Sequence, residues 1–252
     1  MKLDNHQVQQ IKLMDKQVQE FYVDCFALDQ VSHFRKVLVN CGSTGINLVV
    51  DVGGGCGFFA AELNRQTGIG VRVIDADRRS VDACNALNNI NIHAIEGDAL
   101  NPKVNGDEDV VTFNLILHHL IGKNDHETRL LQKRTLAFWH GKSNYVFVNE
   151  YIYDSYIGFI SGRLIYEITR SKFLSIIAKI VSTFLTSLRA NTFGIGVRFR
   201  SHDEWLEIFD ESGYEVIEKI KGENDSVSLA RRFLLIKEVR KDSFLLKCKH
   251  EY

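Results

Sequence analysis

"VVDVGGGCGFFAAEL", residues Val49–Leu63, opens on two β-branched residues and an aspartate. It then places four glycines in five positions and continues into a run fit for a helix. A strand that ends in so bare a turn and runs on into a helix lets a ligand approach the backbone. Glycines clear side chains from the path, and the helix N-terminus presents unpaired N–H groups. The pattern predicts a tight β-to-α turn that holds a small molecule by its main chain.

On either side of this turn the hydrophobic period alternates. Apolar residues near helical spacing (Val8, Ile11, Leu13, Met14, Val18, Phe21, Tyr22) predict a helical segment over 5–40. Short apolar runs predict strands at 47–53, 71–75, 92–98, 109–117 and 145–151, with helices near 57–66, 79–88 and 125–140 between them. Strand and helix in turn, joined by short loops, make an α/β fold: a doubly wound parallel sheet with helices on both faces, in three layers. Past residue 200, "SHDEWLEIFDESG" reads as a capped amphipathic helix ending at Gly213, and "YEVIEKI" (214–220) and "RRFLLIKEV" (231–239) read as two last strands, about seven in all. The 252 residues form one domain, 1–252, in four parts: an N-terminal helical segment (1–40), a core (41–150), a helical insertion (151–200) and a closing helix with two strands (201–252).

Composition excludes several classes. Thirty-one basic against 32 acidic residues leave a net charge of −1, so global charge offers no phosphate track and nucleic acid is not an expected partner. The polar start "MKLDNHQVQQIKLMDKQVQE" has no apolar core of a signal peptide. Five cysteines (25, 41, 56, 84, 248) lie far apart with no CxxC pair, which reads as reduced thiols of a cytoplasmic protein. The histidines have no metal spacing, and no metal is expected. Cys56 reads as a small filler of the glycine turn, Asp77 as a helix cap and Asp109 as structural.

The glycine turn fits two frames. Gly55, Gly57 and Ala60 make G-x-G-x-x-A, with Asp75 at a ribose distance, as in dinucleotide-binding oxidoreductases. The other frame is Asp51-x-Gly53-x-Gly55-x-Gly57, and in it the chain resembles the class I S-adenosylmethionine-dependent methyltransferases over roughly residues 45–240. "VRVIDAD", "IEGDAL", "DVVTFNLILHHL" and the ending "W…F…SGY" follow in that family's order. The resemblance implies a Rossmann-like sheet of about seven strands, the last antiparallel, and S-adenosyl-L-methionine as cofactor. It assigns Gly53, Gly55 and Gly57 to the methionine portion and Asp51 to its ammonium. Asp75 with Ala76 falls to the ribose, Asp98 with Ala99 to the adenine, and Asn114 to the sulfonium side.

The stretch from Leu115 to Trp139, followed by "YVFVNEYIYD", further resembles small-molecule O-methyltransferases in which a His after the fourth strand takes the acceptor's proton and a Glu ending the fifth strand orients it. His118 and Glu150 fall on those positions. Here the His is followed by His119-Leu120 in place of Asp-Trp, His119 reads as structural, and the family's long N-terminal dimerisation domain has no counterpart in these residues. The resemblance implies methyl transfer to a small hydrophobic or acidic acceptor, most naturally at oxygen, by a monomer or homodimer. C- or N-methylation, a non-catalytic binding protein and an NAD(P)-dependent oxidoreductase are the alternatives. Base N-methylation is disfavoured, because "NLILHH" lacks the Asn/Asp-Pro-Pro-aromatic motif. Between 155 and 200, within the insertion, Arg163, Arg170, Lys172, Lys179, Arg189, Arg198 and Arg200 face only Glu167, amid dense apolar residues. Three readings stay open: a lid over the acceptor, a peripheral contact with an anionic membrane through 151–190, and a packed hairpin with a solvated basic face.

Overall fold

The β-branched runs flanking the glycine turn pair with one another in a single seven-stranded sheet. A computed structural model describes residues 26–184 and 192–249. Its strands are β1 (Leu48–Val52), β2 (Gly70–Asp75), β3 (Ile92–Glu96), β4 (Val110–Asn114), β5 (Tyr145–Ser155), β6 (Tyr214–Ile220) and β7 (Ile236–Cys248), in the order β3-β2-β1-β4-β5-β7-β6. The first five strands are mutually parallel, and β7 runs antiparallel to both β5 and β6. Helix α1 (Ala27–Asn40) precedes β1, and crossovers between parallel strands run through α2 (Phe58–Thr67), α3 (Arg78–Asn85) and α4 (Asp125–Phe138). After β5 come α5 (Ile160–Arg170), α6 (Lys172–Phe184), α7 (His202–Glu211) and the single turn α8 (Leu229–Arg232). The part of the expected N-terminal helix before residue 26 lies outside the described residues.

Strand alternation sorts the core into two layers. Val49, Val71, Val73, Val110, Phe147 and Leu245 pack against Phe34 of α1, Leu63 of α2 and Val81 of α3. The alternate residues Val50, Val52, Val111, Phe113, Val148 and Phe244 pack against Leu131 of α4 and Trp205 and Phe209 of α7. Each such fully buried side chain stabilises the fold by about 1.5–3 kcal/mol. By the same period of two, Asp51, Asp75, Thr112 and Asn114 share the α1–α3 face, whereas Glu150 falls on the α4–α7 face.

Local signals set the ends of the helices. Asp77 caps α3, accepting from Ser80 N–H at 3.0 Å. Ser201 and Glu204 form a reciprocal capping box on α7. Asp109 accepts from the N–H groups of Asn47 and Leu48, tying the start of β4 to that of β1. Three expectations need correction. "RRFLLIKEV" is not one strand: its first residues close α8, Leu235 takes φ +59°, and β7 begins only at Ile236. β5 runs to Ser155, so the insertion expected from 151 starts inside a strand.

The third correction is electrostatic. Arg198 and Arg200 are buried instead of forming part of an exposed basic face. Arg198 pairs with Glu204 at 2.6 Å and Asp125 at 2.7 Å. Arg200 reaches Glu204 at 3.3 Å and bonds Gln132 at 2.7 Å. Burial, with Arg198 alongside, pulls the Arg200 guanidinium down to about 10. Glu204 therefore neutralises two desolvated cations, and deleting one partner of a buried pair typically costs about 3–5 kcal/mol. Glu204→Gln is expected to lower the unfolding free energy by that amount in urea titrations. Asp82→Asn, which breaks the exposed Arg78–Asp82 pair, should shift it by no more than about 0.5 kcal/mol.

Candidate active site

Of the sequence-predicted acids, Asp51 and Asp75 lie at the carboxyl ends of β1 and β2, Asp98 follows β3, and Glu150 lies inside β5 just beyond its pairing with β4. The register pairs Asp51 with Val73 and Thr112, Asp75 with Glu96, and Asn114 with Asn149. The crevice beyond the carboxyl ends of β1 and β4 is where strand order reverses, the place at which open α/β sheets bind ligands.

Asp51 is fully buried. Its Oδ1 accepts from Thr112 Oγ1 at 2.7 Å and Asn114 Nδ2 at 3.1 Å, while Oδ2 has no partner among the described residues. Asn114 Oδ1 is buried and unpartnered in the same sense. Burial raises the Asp51 carboxyl to about 6 despite the two hydrogen bonds. Gly54 has to be glycine, because a Cβ there would collide with Asp51 Oδ2, and one at Gly53 would collide with Ile116 Cδ1. Gly55 (φ +55°) opens onto empty space, and Gly57 (φ +79°) starts α2 with no side-chain cap. Two orphan acceptors thus lie close to a helix N-terminus with uncapped N–H groups. Together they suit a ligand carrying an ammonium and a carboxylate.

Asp75 Oδ2 accepts from Gly55 N–H at 2.9 Å and Oδ1 from Asp77 N–H at 2.8 Å. Each oxygen keeps a further lone pair, so the carboxylate braces the glycine turn and still has room for two hydroxyls. Burial raises its pKa, which the backbone donors partly offset. Ala76 beside it is exposed. Asp98 is exposed as well, its Oδ1 accepting from Leu100 N–H, and Ala99 packs against the core. Gly97 N–H donates to Asp75 O at 2.9 Å, which holds the Asp98 turn beside the end of β2. Cys56 is buried with its thiol pushed up by desolvation, so it is an inert filler.

The second cluster follows β4. Leu115 takes φ +56°, unusual for a branched side chain and held by its N–H donating to Asn149 O at 2.8 Å. The chain turns sharply there and enters a 3-10 turn, Leu117–His119. Glu150, fully buried, receives that turn. Its Oε1 accepts from Leu117 N–H at 2.6 Å, and its Oε2 lies 2.6 Å from His118 Nδ1 and accepts from Tyr151 N–H at 3.2 Å. A carboxylate only accepts, so Nδ1 carries the proton and Nε2 of the neutral ring keeps its lone pair. No described residue bonds Nε2. Phe199 and Tyr151 flank the ring at 5.0 and 5.8 Å, and His119 stacks at 4.1 Å, its pKa well below normal through burial and His118.

Several partners escaped the sequence reading: Thr112, Gly54, the aromatics Tyr151 and Phe199, and Gln132, whose Nε2 donates to Leu117 O at 3.0 Å. Thr112 carried a signal, since it shares a strand face with Asn114, but its pairing with Asp51 needs the β1–β4 register. The segment 192–200 also belongs here. Arg198 N–H donates to His118 O at 3.0 Å, and Gly162 of α5 lies against Phe199 O, so the insertion closes over the dyad.

Solved structures place this architecture. The chain matches mitomycin 7-O-methyltransferase MmcR with a TM-score of 0.52 at 13% identity, over 85% of this chain and 53% of that one. It matches the N-terminal domain of EvdMO1 with SAH bound with a TM-score of 0.53 at 11% identity, over 91% and 84%. The chain has the class I methyltransferase fold. It spans about half of MmcR. The methyltransferase fold also matches the [4+2]-cyclase SpnF (TM-score 0.57, 11% identity, 86% and 80% coverage), so the architecture alone does not fix a reaction. No family model and no curated protein matches the sequence. Among the described residues no group of His, Cys, Asp and Glu is arranged to hold a metal ion.

The Asp51 environment has a measurable consequence. The folded carboxyl holds its proton up to about pH 6, whereas the unfolded one releases it near 3.8. Between these values the folded state binds more protons, so this group's contribution to stability falls as pH rises and is level above about pH 7. Asp51→Asn removes that penalty, of order 2–3 kcal/mol. In ligand-free protein it should raise the thermal midpoint at pH 7.5 and change it little at pH 4; an equal shift at both would contradict the buried-charge account.

Proposed function

We propose that the chain is an S-adenosylmethionine-dependent methyltransferase acting on a small molecule, at oxygen. One observation carries the reading: the half-satisfied Asp51 and Asn114 beneath an uncapped glycine turn, on the sheet that also builds a His118–Glu150 dyad whose Nε2 no described residue bonds. The fold, shared with a 7-O-methyltransferase and with a domain holding SAH, supports it.

When bound, S-adenosylmethionine supplies a methyl group already activated on a positive sulfur. Asp51 and Asn114 Oδ1 meet the ammonium, and the N–H groups opening α2 meet the carboxylate. Asp75 accepts from the ribose hydroxyls, and Asp98 and Ala99 border the adenine. His118 Nε2 takes the proton that an acceptor hydroxyl loses as its oxygen bonds to the methyl carbon. Glu150 holds the ring in the basic tautomer and stabilises the imidazolium that results. Phe199, Tyr151 and Tyr153, the last stacked on Phe199 at 4.2 Å, keep water from the acceptor and favour a flat or apolar one. Balanced charge gives no support to a nucleic-acid substrate.

Two experiments test this. Calorimetry should find S-adenosylhomocysteine binding to the wild type, weakened by about 1.5–3 kcal/mol in Asp75→Ala, the range for losing hydrogen bonds to a charged group. NADH should not bind, and tight NADH binding would assign the glycine turn to a dinucleotide. Methyl transfer is then followed with methyl-labelled cofactor across a panel of small hydroxylated acceptors. His118→Ala should lower turnover about 10²–10⁴-fold with cofactor affinity kept, and Glu150→Gln should lower it less. The double variant should be no worse than His118→Ala, since both act in one proton transfer. Near-normal turnover in His118→Ala would leave catalysis to alignment alone.

A further inference from the structure

Helix α6 is amphipathic with its faces reversed. Its buried side chains are Ser175 and Ser182, one helical repeat apart. Ser175 Oγ donates to the carbonyls of Ile168 and Thr169 at 2.9 Å, fixing that side to the end of α5. Phe173, Ile176, Ile177, Ile180, Val181 and Phe184 follow the spacing i, i+3, i+4, i+7, i+8, i+11 on the opposite side, and all six are exposed, Phe173 by 71% and Phe184 by 83%. A helix that packs its small polar side inward and turns its large apolar side out leaves that apolar side uncovered among the described residues, the mark of an interaction surface.

We propose that this face docks α6 parallel to the surface of an anionic lipid bilayer. The charge pattern selects that occupant. Lys172 and Lys179 are exposed on the margin between the two faces, and α6 carries no carboxylate. On α5 the charges are answered within the protein, Arg163 by Asp125 at 3.8 Å and Arg170 by Glu167 at 3.4 Å, so the two lysines of α6 supply the cationic margin. Apolar residues flanked by lysines insert at the acyl boundary while the ammonium groups meet lipid phosphates. A second copy fits poorly, because a twofold contact would bring together two faces that both carry lysines and no carboxylate to answer them. Thirteen residues lie on a membrane and do not cross one, and among the described residues no helix is long and apolar enough to span. The inference stands whether or not the chain transfers methyl groups.

Vesicle flotation tests it with the full-length protein. The wild type should float with phosphatidylglycerol vesicles and remain with the soluble fraction over phosphatidylcholine, and raising the salt from 0.1 to 0.5 M should weaken binding. Lys172→Gln and Lys179→Gln should each lower the partition coefficient about fivefold. Ile176→Glu with Ile180→Glu should abolish binding while leaving the thermal midpoint within a degree or two, since neither side chain is packed in the core. Ile90→Glu, at an isolated residue 98% exposed elsewhere, should float like the wild type. A wild type that fails to float with phosphatidylglycerol overturns the proposal. So does a dimer in light scattering that Ile176→Glu with Ile180→Glu converts to monomer, which would give the face to a second copy.

Discussion

A buried carboxylate at the end of the central strand governs this architecture. Asp51 sits where β1 gives way to the glycine turn, with no exposure and only one of its oxygens satisfied by the protein. An isolated buried anion is expensive, and the surroundings are arranged around it. Thr112 and Asn114 are polar on a face where Val110 is apolar, because Asp51 needs their donors. Gly54 lacks a side chain because Oδ2 occupies that space. The strand, its neighbour and the turn thus answer one electrostatic demand, and what remains unmet is what a cationic ligand group would supply.

A second carboxylate organises the other face. Glu150 lies inside β5, one residue beyond Asn149, where the pairing with β4 stops, and the period of two turns it to the α4–α7 side. It draws in the backbone of the turn after β4 as well as the His118 ring, so it fixes the path of the chain and the tautomer together. Leu115 in the left-handed region is the local cost of that sharp path, of order 1–2 kcal/mol. Gln132 extends the scaffold, joining Leu117 O to Arg200 and so to the ion network under the insertion. The turn that carries His118 is thus tied to β5 by the Glu150 side chain, to α4 by Gln132 and to the insertion by Arg198 N–H, which fixes the position of the ring.

Much of this was legible in the sequence, for local reasons. Alternating periods, the glycine turn and the Ser201 cap depend on neighbours a few residues apart, and the strands they predict reappear within a few residues. The resemblance singled out Asp51, Asp75, Asn114, His118 and Glu150, and the topology brings Asp51, Asp75 and Asn114 to the carboxyl ends of neighbouring strands and joins His118 to Glu150. Failures came where a distant partner decides. "RRFLLIKEV" has strand composition throughout, yet α8 and the turn at Leu235 claim its first half. Arg198 and Arg200 read as surface cations because their anions, Asp125 and Glu204, belong to other helices. Thr112 looked like an ordinary strand residue until pairing set it against Asp51. Register and burial are non-local quantities, and composition carries neither.

The division between the two faces bears on why one architecture serves different reactions. Asp51, Asp75 and the amide of Asn114 hang from β1, β2 and β4 on the side of α1–α3. The His118–Glu150 pair is built from β5, the turn after β4 and the insertion on the other side. These two half-sites meet only at the strand edge, so residues over the acceptor can change without disturbing the charges around the glycine turn. A fold divided in this way retains one ligand while its chemistry diverges, in keeping with a methyltransferase and a cyclase among its structural neighbours. For this chain the distinction rests on Nε2 of His118. An imidazole held by a buried carboxyl group and walled by aromatic rings is an arrangement built on the side of the sheet away from Asp51 and Asp75.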